Sequence, residues 1–383
     1  MEPLDNPVRG YAWGSRTVLA ALQGRPATGR PEAELWMGAH PGSPSAAGGV
    51  LLTEVIAGDP AGVLGAGTVA RFGERLPFLL KVLAAAEPLS LQAHPTSGQA
   101  AEGFAAEEAA GKPRDAPDRN YRDPYHKPEL LVAVEPFEAL CGFRDPAVTA
   151  TLLAGLDVAE LAPTVAALRG ADPGVALREA VTGLMELAEA ERSALVKGVV
   201  AAARGRSGYE LATALGQRYR DDLGVVVALL LNHVTLQPGE AVWMPAGNLH
   251  AYLRGTGVEI MAASDNVLRG GLTPKHVDVP ELLRVLRFEV LADPVVRPRE
   301  VAPGLVTWPA PVDDFALYRA LPDGSAITLP GDGPRIVFCL RGEVRVDDGA
   351  GEVVLAGGQA AFGRAGRAAT VAGSGEVYQA TIA

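Results

Sequence analysis

"VVVALLLNHVTLQPGEAVWMPAGNLHAYLRGTGVEIMAAS", residues 225–264, decides the fold class. Pro238-Gly239-Glu240 and Pro245-Ala246-Gly247 are turn signals. They divide the stretch into three short runs rich in Val, Leu, Ile and Tyr, the composition of strands. The reading is strand, turn, strand, turn, strand, with β texture beginning at Leu223. The same texture recurs on both sides. "LPFLLKVLAAAEPLSLQAHP" (76–95) predicts two strands around a turn at Ala86–Pro88, and "HKPELLVAVEPFEALCGF" (126–143) predicts strand, turn, strand. Between them, Glu102–Tyr125 is polar and reads as a helical turn followed by an exposed loop. Downstream, "RIVFCLRGEVRVDDGAGEVVLAGGQAAFGR" (335–364) has the strand and turn spacing of a small antiparallel barrel or sandwich.

One block breaks the pattern. "GVALREAVTGLMELAEAERSALVKGVVAAARG" (174–205) repeats apolar residues every three or four positions, which predicts amphipathic helices. The architecture expected is mainly β. Residues 1–145 and 223–300 form one region, 146–222 a helical insertion, and 301–383 a carboxy-terminal barrel.

Bulk properties narrow the function. The chain has 383 residues, enough for two or three domains, and its 48% hydrophobic content is ample for burial. A formal net charge of −11 disfavours nucleic acid and anionic membranes as partners. An anionic small molecule then needs a local basic cluster. The longest apolar stretch, 225–231, is too short to span a bilayer, and the amino terminus lacks a signal-peptide core. Cys141 and Cys339 form no motif and read as reduced, buried thiols. A cytoplasmic monomer is the expectation.

"LSLQAHP" (89–95) raises the first chemical question. Side chains alternate along a strand, so Ser90, Gln92 and His94 share one face, while Leu89, Leu91 and Ala93 share the other. Facing water, the polar set needs no explanation. Facing a barrel interior, it begins a site. His126, Lys127 and Glu129 of "HKPEL" and His250 after "MPAGNL" offer further nitrogen and oxygen donors from other strands. Such a set, converging, suits a divalent metal with open coordination, zinc foremost. The stretch "EIMAASDNVLRGGLTPKHVD" (259–278) is also dense in polar groups. Its Arg269 and Lys275 are the natural candidates for an anionic group such as phosphate. No nucleotide-binding loop or dinucleotide fingerprint is present.

Six motifs in order carry a resemblance: "YAWGS" (11–15), "AELWMGAHPGSPS" (33–45), "LSLQAHP" (89–95), "YHKPEL" (125–130), "MPAGNLHAYLRG" (244–255) and "EIMAASDNVLRGGLTPK" (259–275). Together they resemble the type I mannose-6-phosphate isomerases, zinc-dependent members of the cupin superfamily. The resemblance implies cupin-type jelly-roll β-barrels with an inserted α-helical domain. It also implies one zinc ion per chain and the interconversion of mannose 6-phosphate and fructose 6-phosphate through a cis-enediol. Carried over residue by residue, it implies Gln92, His94, Glu129 and His250 as zinc ligands and Arg269 as the active-site arginine. Trp13, Glu34, Lys81, Ser90, Lys127, Tyr252, Glu259, Asp265 and Lys275 fall on pocket positions. Among these, Lys127 and Glu259 are the candidates for proton transfer. Tyr125 and Leu249 depart from the family pattern beside, not at, the ligand positions. Two rivals use the same scaffold: an iron-dependent cupin oxygenase and a non-catalytic sugar-binding cupin.

Overall fold

The computed structural model describes residues 1–383. It is built on two large antiparallel sheet systems. In the first, the strands Glu34–Met37, Phe78–Ala85, Glu129–Ala133 and Ala241–Met244 share one sheet with part of the long strand His250–Ala262. The strands Leu91–Ala93, Phe137–Phe143, Leu231–Leu236 and Leu268–Gly271 form a second layer around the other part of that strand. In the carboxy-terminal system, Arg335–Asp347 and Ala369–Thr381 pair along their lengths. The first strand of the chain, Glu2–Asp5, joins this distant system by pairing with Ala360–Gly363.

Alternation along the strands of the first system sorts most of their buried side chains into three cores. Leu80, Val82, Leu130, Val132, Val258 and Ile260 pack outward against Trp308, Phe315, Ile336 and Phe338 of the carboxy-terminal region. In the second layer, Leu91, Ala93, Leu140, Ala251 and Leu268 pack outward against helical residues such as Leu153, Leu177, Val181 and Val196. The opposite faces of both layers enclose an interior with Leu83, Leu131, Phe137, Cys141, Met244 and Tyr252. Each fully buried Leu, Val or Phe contributes roughly 1.5–3 kcal/mol. The outer apolar faces therefore hold the sheets together and leave the interior free to carry polar groups. No helix is long and apolar enough to cross a membrane.

The helices Pro146–Ala154, Ala162–Leu168, Pro173–Met185, Glu189–Ala203 and Glu210–Arg218 follow one another between the two β stretches. Three local readings need correction. "VVVALL" is not a strand: Gly224–Val227 is a helical turn that runs into a tighter turn at Ala228–Leu230, and the strand begins at Leu231. Every residue from Gly224 to Leu230 is buried, and a wholly apolar run has no periodicity to tell helix from strand. The amino-terminal region is also more helical than its texture suggested, with Leu52–Gly58, Pro60–Leu64 and Ala66–Phe72. Asp59 caps the second of these, accepting from the Gly62 N–H, and Pro60 pre-sets its first turn. Finally, Leu89 does not follow Leu91 and Ala93. The strand starts at Leu91, while Leu89 packs against the interior cluster and donates its N–H to the Tyr252 carbonyl.

Candidate active site

One strand serves both layers because it bends. His250–Ala262 pairs with Phe137–Phe143 over its first half and with Phe78–Ala85 from Gly255 onward. Gly255 takes φ +127, and a Cβ there would lie 2.9 Å from the Pro136 carbonyl oxygen. Only glycine fits such a corner. The bend brings His250 and Tyr252 from one layer, and Glu259 from the other, to the same interior.

Three donor atoms converge there. His94 Nε2 and His250 Nε2 lie 3.4 and 3.3 Å from Glu129 Oε2. All three residues are buried, and none of these atoms has a hydrogen-bond partner. Both imidazoles are oriented from behind: His94 Nδ1 donates to the Asn266 carbonyl at 2.8 Å, and His250 Nδ1 to the Asn248 carbonyl at 2.9 Å. That fixes the tautomer with a lone pair on each Nε2, the arrangement a metal-ligating histidine requires. Burial pushes His94 down to about 4, so it stays neutral at physiological pH. Burial opposes the charge on Glu129 as well, but the Lys127 ammonium prevails and holds it well below the usual carboxylate range. Two imidazoles, one carboxylate and three orphaned atoms fit a divalent cation.

Gln92 sits directly across the ladder from His250 on one side and Arg269 on the other. The three side chains therefore leave the sheet on one face. Ser90 precedes this strand and is half-buried. His126 does not join the cluster. Its Nε2 turns to Asp314 of the carboxy-terminal region at 2.9 Å, while Lys127 Nζ reaches Glu129 Oε1 at 3.0 Å.

Beyond the three donors, Lys81 Nζ meets Glu259 Oε2 at 3.1 Å and Glu34 Oε1 at 3.8 Å. Tyr252 donates its hydroxyl to Glu259 Oε1 at 2.8 Å, and Trp36 donates Nε1 to Glu34 Oε2 at 2.7 Å. Burial works to discharge Lys81, but the carboxylates of Glu259, Glu34 and Glu129 hold it above the usual lysine range. For Glu259 burial prevails over Lys81 and raises its proton affinity. Trp13 stacks on Tyr11 and borders the interior cluster.

Arg269 and Lys275 form a basic corner together with Arg122, which the sequence reading passed over. None of the three makes an ion pair with a carboxylate. Burial lowers the pKa of Arg269 and of Lys275, and repulsion from Arg122 lowers both further. The loop carrying Lys275 is clamped by Asp222, which accepts from the Gly224 N–H at 2.7 Å and the Thr273 N–H at 2.9 Å. Gly271 and Gly224 pack backbone to backbone, and a Cβ on Gly224 would lie 2.5 Å from the Leu272 nitrogen.

His40 was also missed. It is 3% exposed, stands edge-on to Trp36, and has Nε2 3.6 Å from Asp265 Oδ1. A lone histidine in "WMGAHP" gives no spacing signal that singles it out.

The chain is similar to known proteins over most of its length. Residues 1–146 match the family model of the phosphomannose isomerase type I catalytic domain. The chain is 41% identical over 377 residues to the mannose-6-phosphate isomerase of Escherichia coli strain K12, covering 94% of each. It is 32% identical over 388 residues to that of Bos taurus, covering 89% of this chain and 88% of the relative. Among solved structures, the apo form of mannose 6-phosphate isomerase from Salmonella typhimurium superposes with a TM-score of 0.92 at 38% identity, covering 100% of this chain and 99% of that one. A mannose 6-phosphate isomerase bound with zinc and yttrium matches with the same TM-score, identity and coverage.

Proposed function

The chain belongs to the type I phosphomannose isomerase family, and we propose that it interconverts mannose 6-phosphate and fructose 6-phosphate with one zinc ion held by Gln92, His94, Glu129 and His250. The observation that carries the reading is the meeting of His94 Nε2, His250 Nε2 and Glu129 Oε2, three buried atoms without partners. Residues 1–145 and 223–300 are taken as the catalytic unit, 146–222 as the insertion and 301–383 as the carboxy-terminal barrel.

Moving a proton between C1 and C2 of a sugar requires a base beside a carbonyl and a stabiliser for the enediol oxygens. When bound, zinc supplies a Lewis acid for those oxygens. The chain supplies the rest. Lys127, anchored on Glu129 Oε1, and Glu259, whose burial raises its proton affinity, are assigned the proton transfers. Tyr252 and Lys81 each hold one oxygen of Glu259 and fix its orientation. Arg269 is assigned to the developing oxyanion or the phosphate, and Lys275 to the phosphate. Both are cations without a carboxylate partner in a chain of net charge −11. Trp13, Glu34, Ser90 and Asp265 are assigned to the sugar.

A coupled assay for fructose 6-phosphate formation tests the reading, run on protein stripped of metal and then reloaded. Activity should vanish on stripping and return with zinc. Full activity in verified metal-free protein would remove the metal assignment, and metal-dependent dioxygen consumption without isomerisation would favour the oxygenase.

A further inference from the structure

We propose that His40 is a positioning residue for the isomerase reaction: its Nε2–H holds the Asp265 carboxylate in place at the sugar. The inference rests on the assignment of Asp265 to the sugar and adds a residue that the reading left without a role.

The argument begins with the tautomer. The Gly42 N–H lies 3.2 Å from His40 Nδ1 and needs an acceptor. Nδ1 therefore carries the lone pair and Nε2 the proton. Nε2 faces Asp265 Oδ1 at 3.6 Å. Trp36 meets the imidazole edge-on with ring centroids 5.0 Å apart and packs against one side of the ring. The Asp265 backbone is pinned separately, its N–H donating to Asp123 Oδ2 at 2.8 Å. One anchor thus fixes the main chain of Asp265, and His40 faces its side chain.

Burial contrasts sharply across the pair. His40 is almost wholly enclosed, whereas the Asp265 side chain is 43% exposed and free to meet a ligand. A buried histidine whose Nε2 lies 3.6 Å from a half-exposed carboxylate is placed to orient it, not to contact substrate itself. The ring is neutral. Burial lowers its pKa, with Lys81 and Lys127 acting in the same sense and Asp265 and Asp123 in the opposite one. Neutrality suits the task, because a protonated Nδ1 would lose the Gly42 hydrogen bond. An oriented carboxylate accepts sugar hydroxyls without first paying the entropy of fixing its rotamer.

The test uses the full-length zinc-loaded enzyme. His40→Phe keeps the ring and loses the donor, and His40→Gln keeps a donor near the Nε2 position. His40→Phe should lose about two- to tenfold in kcat/KM, the effect of removing a weak polar contact to a carboxylate. Its KM-against-kcat split should match that of Asp265→Asn, with zinc content unchanged. The double variant His40→Phe/Asp265→Asn should be no worse than Asp265→Asn alone, and His40→Gln should recover most of the loss. Near-normal activity in His40→Phe beside an impaired Asp265→Asn overturns this inference and leaves the assigned reaction standing. Multiplicative losses, or a His40→Gln variant as poor as His40→Phe, overturn it as well. Near-normal activity in Asp265→Asn instead removes the underlying assignment. If His40→Phe does not fold, nitrogen NMR of labelled histidine in the wild-type protein decides: an Nε2–H tautomer is expected for His40, and an Nδ1–H tautomer rejects the proposal.

Discussion

His94 Nε2 and Glu129 Oε2 face each other at 3.4 Å, both buried, and neither atom has a hydrogen-bond partner. His94 has already donated its Nδ1–H to the Asn266 carbonyl, so a bond to Glu129 would require the charged imidazolium that burial disfavours. A cation resolves the conflict. Zinc at a hundred times its dissociation constant should therefore stabilise the metal-free protein by about 2.7 kcal/mol, read as a rise in thermal midpoint. Glu129→Gln removes the only carboxylate of the group and should abolish that rise. A zinc-induced shift of wild-type size in this variant would contradict the donor set.

The polar face of "LSLQAHP" was legible because alternation is a local property: Gln92 and His94 had to share a side. The core residues Leu91 and Ala93 followed from the same rule. What the sequence did not disclose depends on packing. Nothing local separates His126 from His94, yet one pairs with Asp314 and the other meets Glu129. The buried run at Gly224–Leu230 had no period to read, and its turn is set by Asp222 and by close contact with Gly271. Arg122 and His40 were invisible for a related reason. Their significance comes from the partners that the fold brings, or fails to bring, beside them.

The basic corner predicts a separable binding effect. Lys275→Met removes a charge with no internal partner, so folding should be almost unaffected. KM for the sugar phosphate should rise about tenfold or more, with kcat changed much less. Arg122 is exposed, so Arg122→Ala should act more weakly, and its effect should fade as salt is raised. An unchanged KM in both variants would place the phosphate elsewhere.

His40 gives a pH dependence with a defined sign. Its folded-state pKa lies below the usual histidine value of about 6.5, so below that pH the unfolded chain takes up a proton that the native chain refuses. The wild type should therefore lose stability as pH falls through and below that value, and His40→Gln should lack this part of the slope. Urea titrations at several pH values between neutrality and pH 5 measure the difference. Parallel stability curves for the two proteins would count against a neutral, buried His40.

Both cysteines should be silent in the native state. Burial pushes the Cys141 thiol up to about 12 and Cys339 up to about 11, and neither is exposed or paired in a disulfide. The thiolate is the reactive form, so a disulfide reagent at mildly alkaline pH should titrate no thiol in the folded protein and both after unfolding. Rapid labelling of either cysteine under native conditions would show that its region opens readily.

Asp222 offers the last prediction, a separation of loop geometry from metal binding. Its two oxygens accept from Gly224 and Thr273, tying the turn before Leu231 to the loop between Arg269 and Lys275. Leu272 within that loop holds φ +55, a left-handed conformation that a side-chain-bearing residue adopts only when its surroundings enforce it. Asp222→Ala removes both acceptors and releases the enforcement. KM for the sugar phosphate should rise about tenfold while zinc content stays at the wild-type level, because no donor to the metal touches this clamp. Asp222→Asn keeps one carbonyl oxygen and should fall between the two. Gly224→Ala attacks the same joint by a different route, since its Cβ would press on the Leu272 nitrogen at 2.5 Å and force the loop aside. Both single variants should show the same KM-dominated loss, and the double variant should add little to either. A loss of zinc in step with the rise in KM would mean instead that the clamp supports the whole barrel.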